Sequence, residues 1–186
     1  MDSDKWLALE NECAACTKCE LSKGRSRVVF GVGSRQAKLM FVGEGPGYHE
    51  DMQGEPFVGP AGQLLDRMLA AIGLCRQEVY IANVVKCRPP NNRDPQTAEM
   101  EACLPYLRAQ FALLRPGIIV CLGRISAGAL IGRDFRITRD RGEWLERKGV
   151  AITATFHPAA LLRDESKKRH AWEDFKAIKR RLDELR

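Results

Sequence analysis

A chain of 186 residues with 45% hydrophobic and 29% charged residues is long enough for one folded domain with a proper core, and this balance excludes disordered and fibrous classes. No apolar run reaches the roughly 18 residues of a membrane span. The start Met-Asp-Ser-Asp-Lys-Trp lacks the basic and apolar regions of a signal peptide, so a cytoplasmic protein without a membrane partner is expected. A net charge of +6 permits a polyanionic partner without demanding one.

In chain order, residues 1–23 read as a short helix followed by a turn carrying Cys13, Cys16 and Cys19. Arg27-Val-Val-Phe30 reads as a short extended piece, and Lys38 to Gly43 as the first core strand. Gly43, Gly45, Pro46 and Gly47 then crowd into five residues, a density that neither continues the strand nor starts a helix at once. The expected result is a tight loop at the carboxyl end of a strand, where open α/β sheets place ligands. His49, Glu50, Asp51 and Phe57 load that loop with proton-transfer groups, charge and a stacking face. A dinucleotide fingerprint fits poorly: Tyr48 occupies the third glycine position, Pro46 interrupts the turn, and no helical pattern appears before Pro60.

Apolar residues at 61, 64, 65, 68, 69 and 72 have helical spacing, and Gly73 ends that helix, with Cys75 near the core beside it. Val79–Val85 is the second strand, followed by a long polar loop from Lys86 to Pro95. A helix capped by Thr97 runs to about Leu114, and Gly117–Gly123 is a third buried strand containing Cys121. A short helix from Ser126 to Ile131, a fourth strand from Val150 to Phe156, and a basic helix from about Lys167 complete the chain. This alternation implies a single three-layer α/β/α domain with a central, mainly parallel four-stranded sheet. The glycine loop, the segment from Asn83 to Pro95, and His157-Pro-Ala-Ala-Leu-Leu-Arg163 would then emerge on one edge of that sheet.

Several residues there suit one another chemically. Asn83 offers one donor and one acceptor for the imide or amide edge of a base. Phe57 is a stacking platform or a core residue. Pro158 keeps His157 extended, as a fixed donor aimed across a pocket. Seven cysteines without an export signal argue against a disulfide framework. Cys16 and Cys19, with Cys87 and Cys103, supply four thiolates, a set that both Zn2+ and an iron–sulfur cluster accept and that spacing does not separate.

Gly43-Glu-Gly-Pro-Gly47 with Glu50-Asp51, Pro56-Phe-Val-Gly59, Asn83-Val-Val-Lys-Cys-Arg-Pro-Pro90 and His157-Pro-Ala-Ala-Leu-Leu-Arg163 together resemble the family 4 uracil-DNA glycosylases. The resemblance runs from about Cys13 to the carboxyl terminus. It implies an enzyme, acting as a monomer, that flips uracil from single- or double-stranded DNA and hydrolyses its N-glycosidic bond in base excision repair. It also implies that Phe57 stacks on the base, Asn83 reads its edge, and His157 stabilises the leaving anion. Gly45 and Gly47 would admit the base and the attacking water. Glu44 or Glu50 would position that water, a role the related family 1 gives to an aspartate where this chain has Gly45. Leu161, Leu162 and Arg163 resemble a loop that wedges into DNA. Cys16, Cys19, Cys87 and Cys103 match the four ligands of a [4Fe–4S] cluster, which would tie on an amino-terminal segment of about residues 1–25; Cys13 leaves open which of the first three bind. The alternative function is a non-catalytic, cluster-bearing protein that binds damaged DNA.

Overall fold

The structure, a computed structural model, describes residues 2–185. The chain runs α1 (Asp2–Ala14), α2 (Leu21–Gly24), β1 (Val32–Gly33), β2 (Leu39–Gly43), α3 (Tyr48–Gln53), α4 (Pro60–Ala71), β3 (Tyr80–Asn83) and α5 (Thr97–Leu114). It continues through β4 (Ile118–Leu122), α6 (Arg124–Leu130), α7 (Ile137–Asp140), β5 (Leu145–Arg147), β6 (Val150–Thr155), α8 (Pro158–Arg163) and α9 (Lys168–Glu184). None of these helices is long and apolar enough to cross a membrane.

One sheet joins all six strands in the order β1-β3-β2-β4-β6-β5. The inner four are parallel and are the four strands expected from the sequence. The expected strand count is corrected to six, because β1 and β5 pair antiparallel on the two edges. Neither carries a sequence signal: β1 is two residues, one of them glycine, and β5 is the largely exposed Leu-Glu-Arg. The extended piece Arg27–Phe30 lies just before β1, outside the ladder, where Val29 N–H donates to Lys86 O at 2.8 Å.

Both faces of the sheet are covered, so β2 and β4 are buried at every residue and read as apolar runs rather than alternating ones. Leu39 and Phe41 face α4 and α9, where Phe41 stacks on Phe175 with ring centroids 5.7 Å apart. Met40 and Val42 point the other way, into a core shared with α1, α5 and α6. Trp6 of α1 meets Phe30 and Tyr80 in that core, which seats the amino-terminal helix.

Three local expectations change. A helix does follow the glycine loop directly: α3 begins at Tyr48 because the Glu50 side chain accepts from Gly47 N–H and closes its first turn. The His157–Arg163 segment is helical too, as α8, with Pro158 at its first position. Cys75 lies beyond the end of α4 and is exposed, since Ile72 and Leu74 take the buried positions there.

Candidate active site

The carboxyl ends of β2, β3, β4 and β6 open into one cavity of about 470 Å³. Glu44, Gly45, Gly47, Glu50, Phe57, Asn83, His157 and Arg163 all line it, so residues from three separate loops meet as expected. His49 and Asp51 do not line it. His49 is exposed, and Asp51 is buried where both its carboxylate oxygens accept from Ser26 N–H at 2.9 and 3.1 Å.

Asn83 is the last residue of β3 and only 1% exposed. Its Oδ1 is buried with no hydrogen-bond partner among the described residues. Leaving such an acceptor unpaired costs about 1–3 kcal/mol, and at a cavity wall this oxygen is free to accept from a donor entering the cavity. Gly43 sits opposite Asn83 in the ladder, and a Cβ there would fall 2.4 Å from Asn83 Oδ1 and 2.6 Å from Phe57 Cζ. Only glycine lets both side chains approach β2.

Phe57 adopts a left-handed backbone with φ 55°, a costly conformation for a bulky residue. Its carbonyl presses against Gly62 of α4, where a Cβ would lie 1.7 Å from Phe57 O. The absent side chain at 62 is therefore what allows the loop to sit on the helix. The ring so placed stacks against the His157 imidazole, with centroids 5.4 Å apart and planes at 29°.

His157 caps α8: its Nδ1 accepts from Ala159 N–H at 3.1 Å. That assigns the ring proton to Nε2. Burial, with help from the Arg163 cation, pushes the His157 pKa down to about 4, against the opposing charge of Glu50. At neutral pH the residue is thus an uncharged imidazole with Nε2–H as its donor.

The two glutamates have different surroundings. Glu50 accepts from Gly47 N–H at 3.1 Å with one oxygen, and from Val58 and Gly59 N–H at 2.9 and 2.8 Å with the other. It ties the glycine loop to the loop bearing Phe57. Glu44 is half-buried, and burial pushes its pKa up to about 7, reinforced by the charge and hydrogen bonding of Asp94 and opposed by Arg124. Asp94 and Arg124 form an ion pair across the cavity mouth. Sequence reasoning missed this pair; its signal was a charged Arg93-Asp94 inside a polar loop that Arg93 anchors to Glu99 at 2.6 Å.

The expected wedge divides. Leu161 is 1% exposed and packs with Leu64, Phe156 and Ala171, whereas Leu162 is 44% exposed and Arg163 lies on the surface at the cavity. Successive helical residues point about 100° apart, so Leu161 turns inward while Leu162 and Arg163 stay at the surface.

Cys16, Cys19, Cys87 and Cys103 line a second, shallow depression together with Cys13, Arg25, Lys86 and Tyr106. Two donors already aim at these sulfurs. Lys86 N–H donates to Cys103 Sγ at 3.2 Å, and Arg25 donates to Cys87 Sγ at 3.4 Å while also holding the carbonyls of Ala14 and Cys16. Burial pushes the Cys87 and Cys103 thiols up, the latter to about 11, with Arg25 and Lys86 opposing. Cys13 is 1% exposed and pushed up further, to about 12, chiefly by burial. Among the described residues, no three cysteine, histidine or carboxylate side chains converge closely enough to ligate one single metal ion.

A sequence model of the uracil DNA glycosylase superfamily matches residues 30–176. The type-4 uracil-DNA glycosylase of Archaeoglobus fulgidus is 48% identical over 175 residues, covering 90% of this chain and 88% of that protein. The type-4 enzyme of Sulfurisphaera tokodaii is 46% identical over 185 residues, covering 95% and 84%. That of Saccharolobus solfataricus is 42% identical over 183 residues, covering 94% and 85%. A match of this extent, on a sheet whose strand ends assemble the cavity described above, places the chain in the uracil DNA glycosylase superfamily, alongside its type-4 members.

Proposed function

We propose that this protein is a uracil-DNA glycosylase of base excision repair, which takes a flipped uracil into the 470 Å³ cavity and hydrolyses its N-glycosidic bond. The unpaired Asn83 Oδ1 carries this reading. It is an acceptor poised for uracil N3–H, and the adjoining Nδ2–H2 suits uracil O4. Cytosine presents an acceptor and a donor at those two positions, so it would leave the buried amide mismatched.

Phe57 supplies the stacking surface, and Gly45 and Gly47 leave room for the base and a water beside it. As the bond breaks, the sugar gains positive charge and the base negative charge. The Nε2–H of neutral His157, a donor already oriented by its bond from Ala159, stabilises the uracil anion through a carbonyl oxygen. Glu44, the glutamate whose oxygens are not committed to loop amides, positions the water and balances the cation; Glu50 acts by holding the two loops together. Leu162 and Arg163 meet the DNA, with the basic helix α9 near the phosphates. Residues 1–186 act as a single glycosylase domain, as a monomer in the cytoplasm.

Cys16, Cys19, Cys87 and Cys103 would hold a [4Fe–4S] cluster. The N–H donors from Lys86 and Arg25 fit this assignment, since hydrogen bonds to sulfur stabilise thiolate ligands. When bound, the cluster supplies a cross-link between residues 1–25 and the rest of the fold; hydrolysis needs no electrons.

The test is a single-uracil oligonucleotide incubated with purified protein, with iron, sulfide and zinc contents measured alongside the visible spectrum. Release of free uracil, lost in Asn83→Ala, is the expected result. Tight binding without release would establish the non-catalytic alternative, and active protein holding zinc without iron would replace the cluster with Zn2+.

A further inference from the structure

Lys86 belongs to a segment whose composition reads as a polar loop, yet it is only 1% exposed. The excision chemistry proposed above uses none of its side-chain atoms. Its Nζ donates to the backbone carbonyl of Asn83 at 3.0 Å and to Gln110 Oε1 at 2.7 Å. Gln110 is fixed in turn by its own amide hydrogens, which go to Phe30 O at 2.9 Å and Tyr80 OH at 3.1 Å. The main chain of Lys86 is bound as firmly: its N–H reaches Cys103 Sγ at 3.2 Å, and its carbonyl accepts from Val29 N–H at 2.8 Å.

The strand ladder explains why this matters at Asn83. The edge strand β1 pairs only with Tyr80 and Ile81, so on that side of β3 no strand runs alongside Asn83, whereas β2 does on the other side. A buried carbonyl there needs another donor, and the Lys86 ammonium is that donor. Asn83 must also keep its side-chain oxygen oriented while no group among the described residues holds it. Recognition by such a group depends on supporting contacts that fix its backbone to within about 0.5 Å.

We infer that Lys86 is a positioning residue for base recognition, a strut that fixes the Asn83 backbone and joins it to the cysteine-lined depression. This deepens the glycosylase reading and rests on it. Burying a lysine for fold stability alone is a poor arrangement, since desolvating an ammonium is costly and an apolar side chain of similar length would pack there.

The experiment compares wild type with Lys86→Met, which keeps length and loses the ammonium donors. Four quantities are read: uracil excision, inhibition by free uracil, affinity for DNA with a pre-formed abasic site, and iron and sulfide content. A positioning role predicts that excision and free-uracil inhibition each weaken by about tenfold or more. Abasic-DNA affinity and iron content should stay at wild-type values. Unchanged excision and inhibition would overturn the inference, as would a parallel loss in all four quantities, which would make Lys86 a scaffold residue only. Should Lys86→Met fail to fold, Gln110→Met removes the brace on the ammonium. It should then show the same selective loss at smaller size, and its wild-type behaviour would equally overturn the inference. A wild-type protein that excises no uracil overturns the glycosylase reading itself, and the role of Lys86 with it.

Discussion

The Phe57 ring lies nearly parallel to the His157 imidazole, with centroids 5.4 Å apart and an angle of 29° between planes. One residue comes from the loop before α4 and the other from the exit of β6, so the contact brings the side chains proposed as stacking surface and anion-stabilising donor to the same wall of the cavity. Phe57→Leu keeps much of the bulk and removes the aromatic face. Base stacking on an aromatic side chain is worth about 1–3 kcal/mol, so excision should fall by roughly tenfold to a hundredfold. Single-turnover kinetics on a uracil oligonucleotide would measure it, and an unchanged rate would remove Phe57 from base recognition.

His157→Ala takes away the neutral donor proposed to face the developing anion. Loss of one such donor typically lowers turnover by about 10²–10³-fold. The fold should survive, because α8 still begins at Pro158. The pKa of about 4 adds a second expectation. Excision should show no His157 titration between pH 5 and 8, and the activity remaining in the variant should have the wild-type pH profile over that range.

Glu44 should set the pH profile instead. Its carboxyl is raised from 4.5 to about 7, so the ionised form that can hold a water and face a cation grows as pH rises through 7. Excision by wild type should rise correspondingly and then level off, and Glu44→Gln should be slow and flat. Stability runs the opposite way. The folded state binds more protons than the unfolded state between pH 4.5 and 7, so stability from the neutral carboxyl is present below 4.5 and lost as pH passes 7. Glu44→Gln should therefore melt above wild type at pH 8 by an amount on the order of 1–3 kcal/mol, with the gap closing near pH 5. A wild-type pH profile in Glu44→Gln would move water positioning elsewhere.

Glu50→Gln tests the other carboxylate. An amide cannot accept from three backbone N–H groups in the present arrangement, because its nitrogen would face donors. The expected cost is about 1–3 kcal/mol of stability, visible as a lower melting temperature. Excision should fall as well, with the wild-type pH dependence retained. A variant with altered pH dependence and unchanged melting would show that Glu50 acts on the water.

Leu161→Ala and Leu162→Ala should behave as opposites despite being neighbours. Leu161 is buried, and truncation should cost about 2–5 kcal/mol of stability. Leu162 is exposed, so Leu162→Ala should leave melting unchanged while slowing excision from duplex DNA more than from single strands. Equal losses on both substrates would argue against insertion into the duplex.

The sequence by itself determined the four parallel strands, the helices between them and the meeting of three loaded loops on one sheet edge. These follow from local quantities: the length and continuity of apolar runs, helical spacing, and glycine and proline at the exits. Local character left Phe57, Asn83 and His157 ambiguous, and the resemblance to the family 4 uracil-DNA glycosylases is what assigned them, with Glu44, to one site. Tertiary structure alone decided what each residue faces. It buried Lys86 under Asn83, set Asp94 and Arg124 beside Glu44, committed Glu50 to backbone amides, and buried Leu161 while leaving Leu162 exposed. It also added two edge strands too short or too polar to announce themselves. The reason is physical: a side chain's partners and its access to water depend on elements far away in the chain, as Gln110 is from Lys86, and no local pattern carries that information.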